Sequence, residues 1–544
     1  MEVVRLYFIR APAYILTPQL CHARADPHAT TAQPEMALWE LSPLRRESYS
    51  SAMNISVSHI FLSENAAISL QMRLRETISG AIWSGRFAPG DKLPSTRALA
   101  QHLKIARITV SAAYQELVAD GYLVSAPRSG YLIAEASPSL RLAAEEKTQD
   151  DRLKVDWSQH LPGDYAAVAE KVKPANWRAY RYPFVYGQAD QSLFPHDAWR
   201  DCARRALGKR DFDAAAGDFR DTDDPMLVKQ IVMRSLPGRG VAARPEEVLV
   251  TLGAQNALWI VAHLLMAHRA QACAAIEEPG YPELREMLRR SGVKIAPIPV
   301  DREGMCVEEI PQAVQVVFIT PSHHAPTGVN MSRARRRRLL ELAEERDFLV
   351  VEDDYDYEMN YLKPPLPALK SIDSQDRVIY LGSFSKTLFP GLRLGYIAAA
   401  DPLITEARGL RTLVTRHPPG ITQRATAYFL ALGHYNAHAA RQRSEFKARW
   451  LILEKALTDA GLKVANKDSI GGASVWLELP EEIDSGALAE ELKNDSVLIE
   501  PGARFFASET PPRNFARISY SVIPKDRIAQ GVKLIADAIR RRQS

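Results

Sequence analysis

Apolar residues recur with a helical period between Ala66 and Trp83, where Ile68, Leu70, Met72, Leu74, Ile78 and Ile82 largely share one face. Gly85 and Pro89-Gly90 close that helix. Pro94 then stops the chain, and Ser95 is placed to cap a helix running to about Leu103. The turn Lys104-Ile105-Ala106 leads into a further helix from Arg107, patterned by Val110, Ala113, Tyr114 and Leu117 and stopped at Gly121. Two short helices across a brief turn predict a helix-turn-helix. Tyr122 to Val124 and Gly130 to Ile133 predict a hairpin around Pro127-Arg-Ser-Gly130, which would form a wing.

Residues 134–153 are mostly Ala, Ser, Glu, Lys and Asp without apolar period, which predicts a flexible or partly helical connector. Amphipathic helices are predicted from about His196 to Leu207 and from Asp224 towards Leu236. Beyond them short apolar runs alternate with longer helical ones. The predicted strands are Val248–Leu252, Ala274–Glu277, Val316–Thr320, Phe348–Glu352, Arg377–Leu381 and Gly395–Ala399. This alternation predicts an α/β domain with a mainly parallel sheet, in which ligands collect where strands end and helices begin. Helical period resumes over Ala425 to Ala460, and strands at Leu462–Ala465, Ala473–Leu479 and Phe515–Tyr520 predict a smaller α+β domain.

A length of 544 residues suggests three or four ordinary domains. Hydrophobic content of 46% and charged content of 25% are those of a soluble globular chain, and no apolar run approaches the roughly 20 residues of a membrane span. Net charge is +4, so any nucleic-acid surface must be a local patch. Cys21, Cys202, Cys273 and Cys306 stand far apart without metal-ligand spacing and read as reduced thiols of a cytoplasmic protein. Residues 1–60 lack any period; they read as a disordered extension, or as the product of an upstream start with Met53 the biological one. The organisation is therefore 1–60, a DNA-binding unit at 61–134, a linker at 135–160 and a body at 161–544, divided into a large domain (about 180–425) and a small one (about 426–544).

Lys386 organises the body. It follows an apolar strand in a turn rich in hydroxyls and glycine, where its amine can form an imine with a carbonyl compound while Ser383, Ser385 and Arg393 hold a phosphate. Other strand ends carry complementary chemistry. Gly253-Ala254-Gln255 opens a helix whose free N–H groups suit a phosphate. Tyr281 offers a ring to stack on a flat cofactor, and His323 is brought towards the same rim. Asp353 ends a buried strand, placed to keep a pyridine nitrogen protonated, with Tyr355 in reach of the ring oxygen. Together these point to pyridoxal phosphate. In the first unit the second short helix would enter a DNA major groove, with Arg107, Thr109 and Ser111 facing base edges. Ser95, Thr96, Arg97 and Lys104 are placed for phosphates and Arg128 for the backbone or minor groove. The run Arg335-Arg-Arg-Arg338, between Ser332 and Glu341, Glu344 and Glu345, reads as a solvated helix face.

Gly90-Asp-Lys-Leu-Pro-Ser-Thr-Arg-Ala-Leu-Ala100, Arg107, Thr109-Val110, Ala113-Tyr114, Leu117 and Asp120-Gly-Tyr-Leu123 resemble the GntR-type winged helix of bacterial repressors. The turn Lys104-Ile-Ala106 departs from the usual Gly-Val-Ser. From about Phe184 onward the chain resembles the fold-type I aminotransferases of class I/II, and more closely the MocR/GabR-type regulators. That resemblance rests on Leu193-Phe-Pro195, Leu252-Gly-Ala-Gln255, Glu278-Pro-Gly-Tyr281, Thr320-Pro-Ser-His323, Pro326-Thr-Gly328, Glu352-Asp-Asp-Tyr-Asp356 and Gly382-Ser-Phe-Ser-Lys-Thr387. It implies Lys386 as the Schiff-base lysine, Asp353 at the ring nitrogen, Tyr355 at its oxygen, Ser383, Ser385 and Arg393 at the phosphate, and Arg517 for an effector carboxylate. Ala325 stands where enzymatic relatives carry Asn, and His324 where regulators often have Gln. The expected function is a homodimeric transcription regulator that binds a double-stranded operator and senses pyridoxal phosphate or a small amine. The alternative is an aminotransferase with an appended DNA-binding domain.

Overall fold

The computed structural model describes residues 54–62, 68–126, 130–135, 155–161, 165, 173–185, 187–218, 221–267, 269–465 and 471–543. The chain divides into two compact units, Met1–His160 and Leu161–Ser544.

In the first unit α1 (Leu70–Trp83), α2 (Thr96–Leu103) and α3 (Arg107–Ala119) precede an antiparallel pair, β1 (Leu123–Ala126) and β2 (Gly130–Ile133). Helix α1 begins at Leu70 because Ser69 caps it, its hydroxyl accepting from the Met72 N–H at 3.2 Å. Ser95 caps α2 in the same way, accepting from Ala98 at 3.2 Å. Lys104 ends α2 in the left-handed region, φ 54. That explains why a glycine is usual at this turn, since a side chain there costs about 1–2 kcal/mol. Leu74, Ile78, Leu99, Val110, Ala113, Tyr114 and Leu117 are fully buried and form the core. The Tyr114 hydroxyl donates to the Pro94 carbonyl at 3.0 Å and so ties α3 to the start of α2.

The second unit opens with β3 (Tyr182–Pro183). Its large sheet is built from β4 (Val248–Thr251), β5 (Cys273–Glu278), β6 (Lys294–Asp301), β7 (Gly304–Met305), β8 (Val316–Ile319), β9 (Leu349–Asp353), β10 (Val378–Ser383) and β11 (Gly395–Ala398). The order across the sheet is β4-β11-β10-β9-β8-β5-β6-β7. Only β11 and the edge strand β7 run against the rest. Strand β6 is absent from the sequence reading because Pro297 and Pro299 interrupt its pattern. It tolerates them because β7 covers only its last residues, Val300 and Asp301, leaving most of one side unpaired.

Alternate residues of each strand serve opposite layers. Phe318, Val351, Ile379 and Leu381 pack with Ala257, Leu258 and Val261 of helix Ala254–Met266 and Leu288 of Pro282–Arg290. On the other face Val317, Ile319, Val350 and Val378 meet Leu339 and Leu342 of helix Arg333–Arg346. Burial on both faces is why these strands read as unbroken apolar runs. The small domain packs helices His434–Asp459, Ser485–Leu492 and Lys525–Gln543 on a second sheet of β12 (Lys463–Val464), β13 (Ser474–Glu478), β15 (Glu500–Pro501) and β16 (Phe515–Ser519). Strand β14 (Val497–Leu498) pairs separately with β3.

Two expectations need correction. The helix opening at Asp224 is α-helical only to Gln230 and then widens into π turns over Ile231–Ser235. The Arg335–Arg338 face is not wholly solvated. Arg336 is buried and donates to the Met331, Pro321 and Pro367 carbonyls at 3.1, 2.8 and 2.8 Å, so it stitches loops together.

Candidate functional site

The C-terminal ends of β4, β5, β8, β9 and β10 converge on a cavity of about 350 Å³. Gly253, Ala254, Gln255, Tyr281, Asp353, Tyr355, Ser383, Ser385, Lys386, Arg393 and Arg517 all line it. His323 does not; it lines a smaller adjoining recess with Tyr355, Lys386 and Arg517. Ala325 lines both spaces.

Close backbone approach shapes the end of the cavity beside Arg393. Gly253 has φ 84, and a Cβ there would touch the Arg393 guanidinium at 3.4 Å. A Cβ on Gly382 would overlap the Tyr396 ring, so β10 and β11 lie flush only because this position has no side chain. Helix Ala254–Met266 starts without a side-chain cap, which leaves its first N–H groups free beside Arg393. The Ser385 hydroxyl accepts from the Leu394 N–H at 2.9 Å and donates to its carbonyl at 3.2 Å. Ser385 therefore braces the turn, leaving Ser383, Arg393 and the helix N-terminus as the groups open to an anion.

Strand alternation assigns the acidic cluster different jobs. Glu352 turns away and accepts the Leu369 and Lys370 N–H groups at 2.7 and 2.9 Å. Asp354 is buried against Arg239 Nε at 2.6 Å and the Tyr380 hydroxyl at 2.8 Å. Asp353 faces the cavity, and its Oδ1 is buried with no hydrogen-bond partner among the described residues. Burial, helped by Asp354 and Asp356, pushes its pKa up to about 7. Lys386 donates to the Gly187 carbonyl at 2.5 Å, and its Nζ lies 5.2 Å from the centre of the Tyr355 ring. Burial pushes the Lys386 pKa down to about 8, against the pull of Asp356. The Tyr355 hydroxyl donates to the His323 carbonyl at 3.0 Å. His323 Nδ1 sits 2.8 Å from Asp356; burial opposes its protonation, but that carboxylate wins and the pKa rises.

Arg517 closes the small-domain side of the cavity, its Nε 2.8 Å from Glu500. Arg504, which pairs with Glu283 at 3.2 Å and Glu500 at 3.5 Å, lines the same wall and was not singled out from sequence. Glu277 was missed as well. It is buried, accepts from the Thr320 N–H at 3.0 Å and hydroxyl at 2.6 Å, and burial pushes its pKa up to about 8. The signal for Glu277 was available: like Asp353, it is a carboxylate ending an apolar strand. An unpaired buried carboxylate oxygen, a buried amine that sheds its proton readily, and an uncapped helix beside an arginine together fit pyridoxal phosphate.

In the first unit Arg97, Lys104 and Arg107 are exposed, and Arg107 Nε reaches the Thr96 hydroxyl at 3.4 Å. Ser95 is exposed but spends its hydroxyl on its own helix cap. Thr109 and Ser111 are half-buried, whereas Ile108 and Gln115 project from α3. Arg128 lies outside the described residues.

Residues 70–133 match the family of bacterial regulatory proteins of the gntR type, and residues 213–535 match aminotransferase class I and II. The chain is 45% identical to the HTH-type transcriptional regulator TauR of Rhodobacter capsulatus over 90% of its own length and 100% of that protein. It is 29% identical to the probable rhizopine catabolism regulatory protein MocR of Rhizobium meliloti, over 88% of this chain and 95% of the relative. It is 30% identical to the HTH-type pyridoxine biosynthesis transcriptional regulator PdxR of Corynebacterium glutamicum, over 74% and 81%. Among solved structures, the kynurenine aminotransferase of Pyrococcus horikoshii aligns at TM-score 0.64 and 25% identity, over 73% of this chain and 99% of that one. With a gntR-type head, an aminotransferase-type body and end-to-end similarity to these regulators, the chain belongs to the MocR-type transcriptional regulators.

Proposed function

We propose that the body holds pyridoxal phosphate at Lys386, and that an amine bearing an acidic group, met by Arg517, changes how the regulator occupies its operator. The observation that carries this reading is the convergence of Lys386, Asp353 and Arg393 on one cavity at the strand ends. Arg393, Ser383 and the free N–H groups at Ala254 and Gln255 would hold the phosphate. Tyr281 would lie against the ring, and Asp353, poised near neutrality by burial, would keep the ring nitrogen protonated. Tyr355 stands beside Lys386 and spends its hydroxyl on the His323 carbonyl, which fixes its ring in place. When bound, the cofactor supplies an aldehyde that condenses with amines and a ring that withdraws electrons. Lys386 yields its proton near its pKa of about 8, so its free amine is available close to neutrality. Ala325 contributes no side-chain donor to the ring, which favours sensing over rapid turnover. The effector's differential affinity for two states of the body would set the output at the operator. Two copies would place two heads on a two-fold site.

Purified full-length protein should show a near-visible absorbance band that Lys386→Ala abolishes. Amines and amino acids should be titrated against that band and against retention on promoter DNA. A wild type without the band refutes cofactor binding. Steady transamination with a 2-oxo acid, and no change in DNA retention, supports the enzyme instead.

A further inference from the structure

The core side of α3 is the stripe Val110, Ala113, Tyr114 and Leu117, each fully buried. At 100° per residue the opposite line runs through Ile108, Ala112 and Gln115. Ile108 is the exception on that line. It is 79% exposed, is absent from the apolar cluster that forms the unit's core, and lies one residue inside the helix. A β-branched apolar side chain on a water-facing helical position gains neither helix propensity nor burial. Its neighbours are Arg107, which is exposed and touches Thr96, and Ala112 one turn further along. The outward line is thus apolar at its N-terminal end and amide-bearing at Gln115, flanked by a cation and the Ser111 hydroxyl.

A major groove offers one apolar feature, the C5-methyl of thymine. We propose that Ile108 reads a thymine through that methyl, with Ala112 completing the apolar contact. This proposal rests on the first unit binding DNA through α3. Ile108 would then be a specificity-determining residue, while the cations Arg97 and Lys104 supply affinity without sequence.

The test uses full-length protein and duplexes it selects from a randomised pool. Each thymine of the selected site is replaced in turn by deoxyuridine, which removes only the methyl. At one thymine per half-site the replacement should weaken wild-type binding about four-fold, the value of one buried methyl-sized group. Ile108→Ala should bind the thymine duplex about four-fold more weakly and no longer distinguish it from the deoxyuridine duplex. Ile108→Val should keep the discrimination. Lys104→Ala should weaken both duplexes alike and reduce the salt dependence. If wild type tolerates every replacement, or Ile108→Ala still loses affinity at the same position, the inference is wrong. If no duplex is selected at all, DNA binding by this unit fails and the inference goes with it.

Discussion

The two units solve opposite problems. In the winged-helix unit the residues that would meet a ligand lie outside the core, and the core would pack as well with others in their place. Ile108, Arg97 and Lys104 touch almost nothing the fold depends on. In the body, Ser385 is buried and Asp353 and Lys386 are half-buried at the cavity wall, Ser385 held by Leu394 and Lys386 by the Gly187 carbonyl. The difference shows where each unit can change: an exposed helix face can be rewritten residue by residue, but a site walled by the core is tied to the packing that contains it.

Arg239 sharpens that contrast most. It is 1% exposed and holds Asp354, Leu366 and Ser322 at 2.6, 2.8 and 2.9 Å, behind the site and outside it. Arg239→Met should cost about 3–5 kcal/mol in urea unfolding, because Asp354 is left buried without its countercharge, with only the Tyr380 hydroxyl donating to it. A loss below about 1 kcal/mol would mean the polar layer behind the site is not structural.

The next effect is on rate. Lys386 is protonated below about 8 and free above it, so cofactor capture by the stripped protein should rise about ten-fold across that value and then level off. An ordinary lysine would keep gaining up to about 10.4. The sign for stability is the same. Between about 8 and the ordinary value the unfolded chain binds a proton that the buried amine rejects, so the body gains stability as pH rises through that window. A capture rate still climbing well above 8 would show that Lys386 is solvated.

The smallest effect falls in the head. Tyr114→Phe removes one hydrogen bond, to Pro94, and should cost about 1 kcal/mol in urea unfolding while leaving DNA retention unchanged. A large loss of DNA retention would erase the distinction between core and reading face.

Legibility followed the same division. Most cavity residues could be found because they end an apolar strand or stand in the turn just after one, and in an α/β sheet strand ends are where ligands gather. Ten of the cofactor positions named from sequence line one cavity, and His323 stands just behind it. Strand β6 escaped because its prolines belong to a strand paired along most of its length on one side only, a fact of tertiary position with no local signature. The double duty of Glu352-Asp-Asp354 needed the alternation of β9 in space before one carboxylate could be separated from its neighbours. Ile108 is a different omission. The apolar stripe of α3 fixes the opposite line by geometry alone, but an apolar side chain on that line carries no polar signal of contact with a base.

Strand β11 runs back against β10 with Ser383 opposite Gly395, so residues 384–394 form a closed loop pinned at both ends to the sheet. Lys386 and Arg393 both belong to it. The length of that loop is therefore as constrained as its composition: one inserted residue would displace the amine relative to the guanidinium and slip β11 against β4 as well. Descendants of this chain can exchange heads, lengthen connectors and repaint the exposed face of α3, but insertions and deletions should be purged between Ser383 and Gly395 long before substitutions are.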